Sequence, residues 1–336
     1  MLTAGGLLAQ TASALITIDT VPVGNAGNAA DPTTGFGAVG YQYGIGKYEV
    51  TLNQYNTFLN AVAATDTYGL YNANMAANLN IAGIARSGVS GSYTYSVIGS
   101  GNRPVTYVSW FDSARFVNWL QNGQPTGLQT VGTTETGAYT LTGNTGIITR
   151  NAGLTYGLPS ENEWYKAAYY QPTAQGGDVD NYWLYPTANN AIPNSRDGSA
   201  SDANSANFNR NDAIANGFND GYALSHSTTY SASQQYLTEA GAFSIADSFY
   251  GTFDQGGNVV EWNDAVSGPL RAIRGGSWGS TDGDAAGLRA DGRLDYAPAN
   301  EFGSVGFRVV IVPEPGAVGI MVLGIALLAW QRRIAR

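Results

Sequence analysis

Residues 250–262 read YGTFDQGGNVVEW. Two carboxylates, Asp254 and Glu261, flank a Gly256-Gly257 turn. The backbone carbonyls of Gly257 and Val259 lie between them in sequence. Together these four positions form a hard, all-oxygen set of the kind Ca²⁺ takes. Asn258 is placed to brace the turn through backbone hydrogen bonds. The alternative is a β-turn carrying two solvated acids.

Outward from this stretch, RAIRGGSW (271–278) and VGFRVV (305–310) follow it, and three helix patterns precede it. In EVTLNQYNTFLNAVAA (49–64), Leu52, Tyr55, Leu59 and Val62 recur at helical spacing behind Thr51 as N-cap. In SWFDSARFVNWLQNG (109–123), Ser109 and Asp112 are spaced as a capping box and Gly123 is a stop. In PSENEWYKAAYY (159–170), Ser160 and Glu163 form an S-x-x-E box, which predicts a helix start rather than a catalytic pair. Short strands are expected at 44–50, 270–274 and 305–312. Residues 65–102, 123–152 and 171–250 are long connections rich in Gly, Asn, Ser and Thr. So much irregular chain needs bound cations or many internal hydrogen bonds to hold it.

Composition narrows the function. The 336 residues are 43% hydrophobic and 12% aromatic, enough for a sizeable core, yet only 12% charged. The net charge is −9, and three of the sixteen basic residues sit in the last five positions. Residues 1–312 therefore hold 13 basic against 24 acidic side chains. A body this acidic repels phosphate backbones, which excludes nucleic-acid binding. With no cysteine and one histidine, disulfides, zinc thiolates and thiol catalysis are excluded. No Walker loop, dinucleotide fingerprint, H-E-x-x-H or internal repeat occurs.

Six motifs in order, GKYEVTLNQYNTFLN, RPVTYVSWFDSARFVNWL, GLPSENEWYKAA, YGTFDQGGNVVEW, RAIRGGSW and VGFRVV, resemble the formylglycine-generating enzyme (sulfatase-modifying factor) family over 36–312. The resemblance implies one α+β domain, irregular and loop-rich, distantly related to C-type lectins, with 15–35 as a lead-in. It also implies calcium at Asp254, Gly257, Val259 and Glu261. A second family calcium site would fall on Asn207, Phe208, Asp220 and Tyr222, in a stretch that has drifted from the family pattern.

The same resemblance makes RGGSW the decisive departure. Active relatives carry a copper-binding cysteine pair just beyond this motif and oxidise a sulfatase cysteine to formylglycine. Those positions hold Ser280 and Ala285 here. Serine is a hard oxygen ligand, alanine is none, and copper(I) prefers thiolates. A sister branch uses iron held by three histidines, and this chain has only His226, in a polar loop. No copper, iron or zinc is expected. RGGSW then serves architecture: close backbone approach at the glycines, Trp278 filling core, Arg274 paired with a carboxylate or capping carbonyls. The leading expectation is a non-catalytic, calcium-stabilised surface module that binds a glycan or a peptide. The alternatives are carboxylate-based hydrolysis by Asp282, Asp284, Asp291 and Asp295, and a purely structural matrix component.

The ends suggest export. In VPEPGAVGIMVLGIALLAWQRRIAR (312–336), a fifteen-residue uncharged run, 316–330, precedes Arg332, Arg333 and Arg336. This predicts a short C-terminal transmembrane helix with its basic end in the cytoplasm; the alternative is a buried C-terminal helix. Residues 313–336 resemble the PEP-CTERM sorting signal, which implies an exosortase-type partner and a Gram-negative envelope or extracellular matrix setting, with membrane anchoring before processing. Residues 1–14, MLTAGGLLAQTASA, end in an A-x-A pattern without a basic n-region. They read as a truncated signal peptide or as a disordered leader.

Overall fold

The computed structural model describes residues 15–142, 147–199, 202–281 and 287–312. The expected leader at 1–14 and the sorting tail at 313–336 lie outside the described residues. Among the described residues no helix is long and apolar enough to cross a membrane.

In chain order the elements begin with β1 (Thr20–Val23), β2 (Tyr43–Gly46), α1 (Leu52–Val62), α2 (Asn74–Ala77), β3 (Ile84–Ser87), β4 (Thr94–Val97) and α3 (Trp110–Gln121). Then come β5 (Tyr156–Gly157), α4 (Glu161–Tyr169), β6 (Asn194–Ser195), β7 (Ser205–Ala206), β8 (Asn209–Asn211) and β9 (Asp220–Tyr222). The chain closes with β10 (Val260–Ser267), β11 (Leu270–Arg274), β12 (Leu294–Tyr296), β13 (Val305–Phe307) and β14 (Val310–Ile311). This is the mixed, loop-rich architecture expected, with short strands predominating.

The three longer helices begin where their capping boxes predict. Thr51, Ser109 and Ser160 each accept the backbone N–H three residues on, and Gln54, Asp112 and Glu163 reach back to the cap N–H. Each box satisfies two donors that a helix start otherwise leaves open. α1 and α3 then bury aromatic faces against each other. Phe58, Phe116 and Trp119 meet at centroid distances of 5.3–5.8 Å, and Phe116 crosses Phe307 of β13 at 5.4 Å. Each such ring contributes about 1.5–3 kcal/mol by burial.

Two four-stranded sheets frame this core, one ordered β1-β2-β14-β5 and the other β12-β11-β10-β13. The second matters for function. β10 and β11 form an antiparallel hairpin that sets Glu261 opposite Arg274, with an irregularity between Trp262 and Val266. β13 joins β10 in parallel register. The strand expected over 305–312 is divided here. Val305–Phe307 pairs with β10, whereas Val310–Ile311 pairs with β2 and β5 in the other sheet. Arg308 lies at the crossover, fully buried.

The long connections are not featureless. Residues 65–102 hold α2 and the β3–β4 hairpin, and 171–250 hold four strands of two or three residues. Side-chain amides do much of the binding: Asn118 Nδ2 donates to the carbonyls of Thr134 and Tyr139, and Asn122 Nδ2 to those of Thr133 and Thr136. Internal hydrogen bonds of this kind were one of the two expectations for these connections.

Candidate functional site

The site is built where α4 meets the β10–β11 hairpin. The first turn of α4 supplies three side chains, each with its own partners. Glu161 takes Arg274 and Arg293, Glu163 takes Arg150, and the Trp164 indole donates to Glu261 at 2.8 Å. Burial works to raise the Glu163 pKa, but the Arg150 guanidinium outweighs it and holds the carboxyl below its ordinary value. Ser160 and Glu163 therefore start a helix, as the S-x-x-E spacing predicts, and Glu163 also neutralises an arginine.

Glu261 is the most enclosed acid of the expected calcium set. Arg308 Nε and Nη2 donate to its two oxygens at 2.6 Å each, and both side chains are wholly buried. The remaining Arg308 donors reach the carbonyls of Gly46 and Phe253, each at 2.9 Å. Asp254 turns elsewhere: its carboxylate accepts the Gly241 N–H at 2.6 Å, from a backbone with φ of 59°. Burial pushes the Asp254 carboxyl up to about 6. Burial and the nearby Asp254 carboxylate push Glu49 well above the carboxylate range, and Glu49 Oε2 has no partner. One guanidinium thus faces three buried acids, Glu49, Asp254 and Glu261.

A dication held by Glu261 would have to displace Arg308 and Trp164 from the oxygens they occupy. Neutral or cationic donors stand where metal–oxygen bonds would form, so these residues do not fit a resident calcium ion as arranged. Asn258 behaves as the turn brace expected of it. Its Oδ1 accepts from Thr238 and Asn207, and its own N–H meets the Asn207 carbonyl at 2.8 Å. Gly257 sits at φ 89°, and a Cβ there would lie 2.4 Å from the Asn207 carbonyl oxygen.

The second expected set is arranged around a hydroxyl. Ser195 Oγ lies 2.5 Å from the Phe208 carbonyl and 3.3 Å from that of Gly221. Asn207 spends its amide on the Tyr236 carbonyl and on Asn258, Asp220 closes its own turn on the Gly217 N–H, and Tyr222 joins an aromatic cluster. Among the described residues no group of three or more His, Cys, Asp and Glu side chains is placed to hold a metal ion.

Beside this locked interior, a cleft of about 360 Å³ opens along RGGSW. Arg274, Ser277, Ser280, Arg293, Leu294 and Tyr296 are among its lining residues. Gly275 makes the close approach possible: at φ 103°, a Cβ would meet the Gln255 carbonyl oxygen at 2.7 Å. Ser280 Oγ accepts the Ser277 N–H at 3.0 Å, and the Ser280 N–H returns to the Ser277 carbonyl at 2.9 Å. The hydroxyl closes a turn with Ser277. Ala285, Asp282 and Asp284 lie outside the described residues. Asp291 pairs with Arg289 and Asp295 with Arg293, so both described acids near the cleft are engaged by arginines. His226 lies 3.7 Å from Asp197 and is itself exposed.

Sequence reasoning paired Arg274 with an unnamed carboxylate or with carbonyls, and Glu161 is that carboxylate. It missed Arg308, Glu49 and Ser195. The available signal for Arg308 was a lone cation inside an apolar run, VGFRVV, since a buried arginine demands a carboxylate.

These relations describe a mixed, loop-rich fold whose RGGSW cleft carries a serine hydroxyl committed to a turn. The sulfatase-modifying factor enzyme 1-like domain model matches residues 7–313, and the chain belongs to that family. Among solved structures, CarF is 21% identical, with 89% of this chain and 100% of CarF covered and a TM-score of 0.48. Treponema denticola variable protein 1 is 17% identical over 90% of this chain and 98% of its own, with a TM-score of 0.44. PvdO from Pseudomonas aeruginosa is 18% identical over 88% of this chain and 92% of its own, with a TM-score of 0.41. None of the curated proteins matches the chain.

Proposed function

We propose that this domain binds a ligand in the RGGSW cleft and performs no oxygen chemistry there. The observation that carries the reading is Ser280: a hydroxyl committed to the Ser277 N–H stands where the family resemblance places a copper-binding thiolate. A serine hydroxyl is a hard oxygen ligand, whereas copper(I) prefers thiolates. The cleft offers both polar and apolar lining, with Arg293 and Tyr296 near the exposed Leu294, which suits an extended polar chain, a peptide or a glycan. Among the described acids, Asp291 and Asp295 are each engaged by an arginine, which disfavours hydrolysis by that pair.

The resemblance of 313–336 to a sorting signal supports a location outside the cell, at the envelope or in the matrix. The acidic, weakly charged body is compatible with that setting. The test is a screen of the full-length protein against peptide and glycan arrays, repeated with Leu294→Arg at the cleft wall. Ligand capture that this variant abolishes is the expected result. Turnover of a captured ligand would reject a purely binding role.

A further inference from the structure

A ladder of stacked rings runs outward from RGGSW. Trp278, its last residue, lies flat on Tyr236 at 4.8 Å and 3° between planes. Tyr236 in turn stacks on Tyr230 at 5.9 Å and 18°. Tyr222 braces both tyrosines from the side, 4.7 Å from Tyr236 and 6.3 Å from Tyr230. Tyr236 is 1% exposed, whereas Tyr230 is 53% exposed. The ladder therefore starts in the core and ends in a ring that faces solvent.

Tyr230 is held in place. Its hydroxyl donates to Oδ1 of the buried Asn80. The Asn80 amide donates to the Ser231 and Gln234 carbonyls at 2.7 Å each, and the Tyr236 hydroxyl accepts the Ser231 N–H at 2.9 Å. The polar end of Tyr230 is thus engaged inside the protein, and its exposed surface is ring. Ordering an aromatic in advance removes the entropy cost a ligand would otherwise meet.

The surroundings identify what such a ring would take. Residues 225–235 read SHSTTYSASQQ, with no Asp, Glu, Lys or Arg and no aliphatic side chain larger than alanine. Residues 228–233 are all exposed. A protein hot spot would be rimmed by apolar side chains or arginine. Here uncharged hydroxyls of Thr229, Ser231 and Ser233 flank an open aromatic face. That combination matches a pyranose, which presents C–H groups on one face and hydroxyls around its edge.

We propose that Tyr230 is the stacking platform of a binding site for a neutral oligosaccharide. The proposal rests on the binding role assigned to the domain and places a saccharide contact outside the cleft. The test is calorimetric titration of the full-length protein with neutral β-1,4-, β-1,3- and α-1,4-linked glucohexaoses. At least one should bind. Tyr230→Ala should lower that affinity about tenfold or more, while Tyr230→Phe, which keeps the ring, should stay within about threefold. A melting temperature for Tyr230→Ala close to wild type shows that the loss is local. If that variant is unstable, saturation-transfer NMR on the wild type supplies the second readout, and ring protons of tyrosine must receive contact from the sugar.

Leu294→Arg separates the two readings. Hexaose binding lost in Tyr230→Ala and kept in Leu294→Arg supports the platform and leaves the cleft to another ligand. Binding lost only in Leu294→Arg overturns the platform and supports the cleft. No binding of any hexaose at millimolar concentration overturns the platform, and peptide capture then tests the cleft by itself.

Discussion

Replacing Arg308 by methionine removes the one cation that faces Glu49, Asp254 and Glu261, at nearly constant volume. Five donor contacts vanish: two to Glu261, one each to the Gly46 and Phe253 carbonyls, and a long one to Lys47. Glu261 keeps only the Trp164 indole. Breaking a buried ion pair from one side costs about 3–5 kcal/mol, because the remaining charge is uncompensated. The variant should therefore lose about 4 kcal/mol at pH 7, or about 10 °C in melting temperature for a domain of this size. Urea denaturation of both proteins at pH 7 measures this directly. A deficit below about 1 kcal/mol would refute the assignment of Arg308 as the internal counter-ion. Adding Glu261→Gln to the methionine variant should recover part of the loss at pH 7.

Other outcomes follow from the same geometry. Burial pushes the Asp112 carboxyl up to about 7 despite its bonds from the Ser109 N–H and hydroxyl. Because its folded pKa exceeds the unfolded value, its contribution is full below about pH 4 and is lost as pH rises through 7. Asp112→Asn should therefore gain in melting temperature relative to wild type between pH 5 and pH 8, read by thermal melts at both. Gly275→Ala forces a Cβ to within 2.7 Å of the Gln255 carbonyl oxygen and into an unfavourable φ. It should cost about 3 kcal/mol or more by chemical denaturation, from strain and displacement together. Removing calcium with chelator and restoring it to millimolar should move the wild-type melting temperature by less than about 2 °C, since Arg308 holds the Glu261 carboxylate and Ser195 donates to the Phe208 carbonyl. A larger rise on adding calcium would restore the cation sites.

What was legible in the sequence was local. The capping boxes at Thr51, Ser109 and Ser160 marked helix starts because both partners lie within four residues. The strand at 270–274 was expected between Gly268-Pro269 and Gly275, and its observed limits agree. What escaped depends on distant partners. Arg308 and Glu261 are 47 residues apart, so carboxylate spacing within YGTFDQGGNVVEW shows two acids and hides the cation between them. The division of 305–312 between two sheets escaped for the same reason, since an apolar run does not say which neighbour each half will meet. The strands of 194–222 are two or three residues of Asn, Ser, Arg and Gly, too short and polar for alternation to register.

Family membership and departure from it sit side by side in one motif. RGGSW keeps what the backbone requires: Gly275 passes under the Gln255 carbonyl, Arg274 locks onto Glu161, and Trp278 begins the aromatic ladder. Two residues beyond it, the chemistry changes to a hydroxyl that closes a turn. The scaffold therefore persists through packing and hydrogen bonding that do not depend on the missing thiols.

The most direct measurement is to incubate the purified protein with a sulfatase-derived cysteine peptide, copper(I) and air, and to follow the peptide by mass spectrometry. Unchanged thiol peptide is the predicted result. Conversion to the aldehyde by this cysteine-free chain would contradict the account.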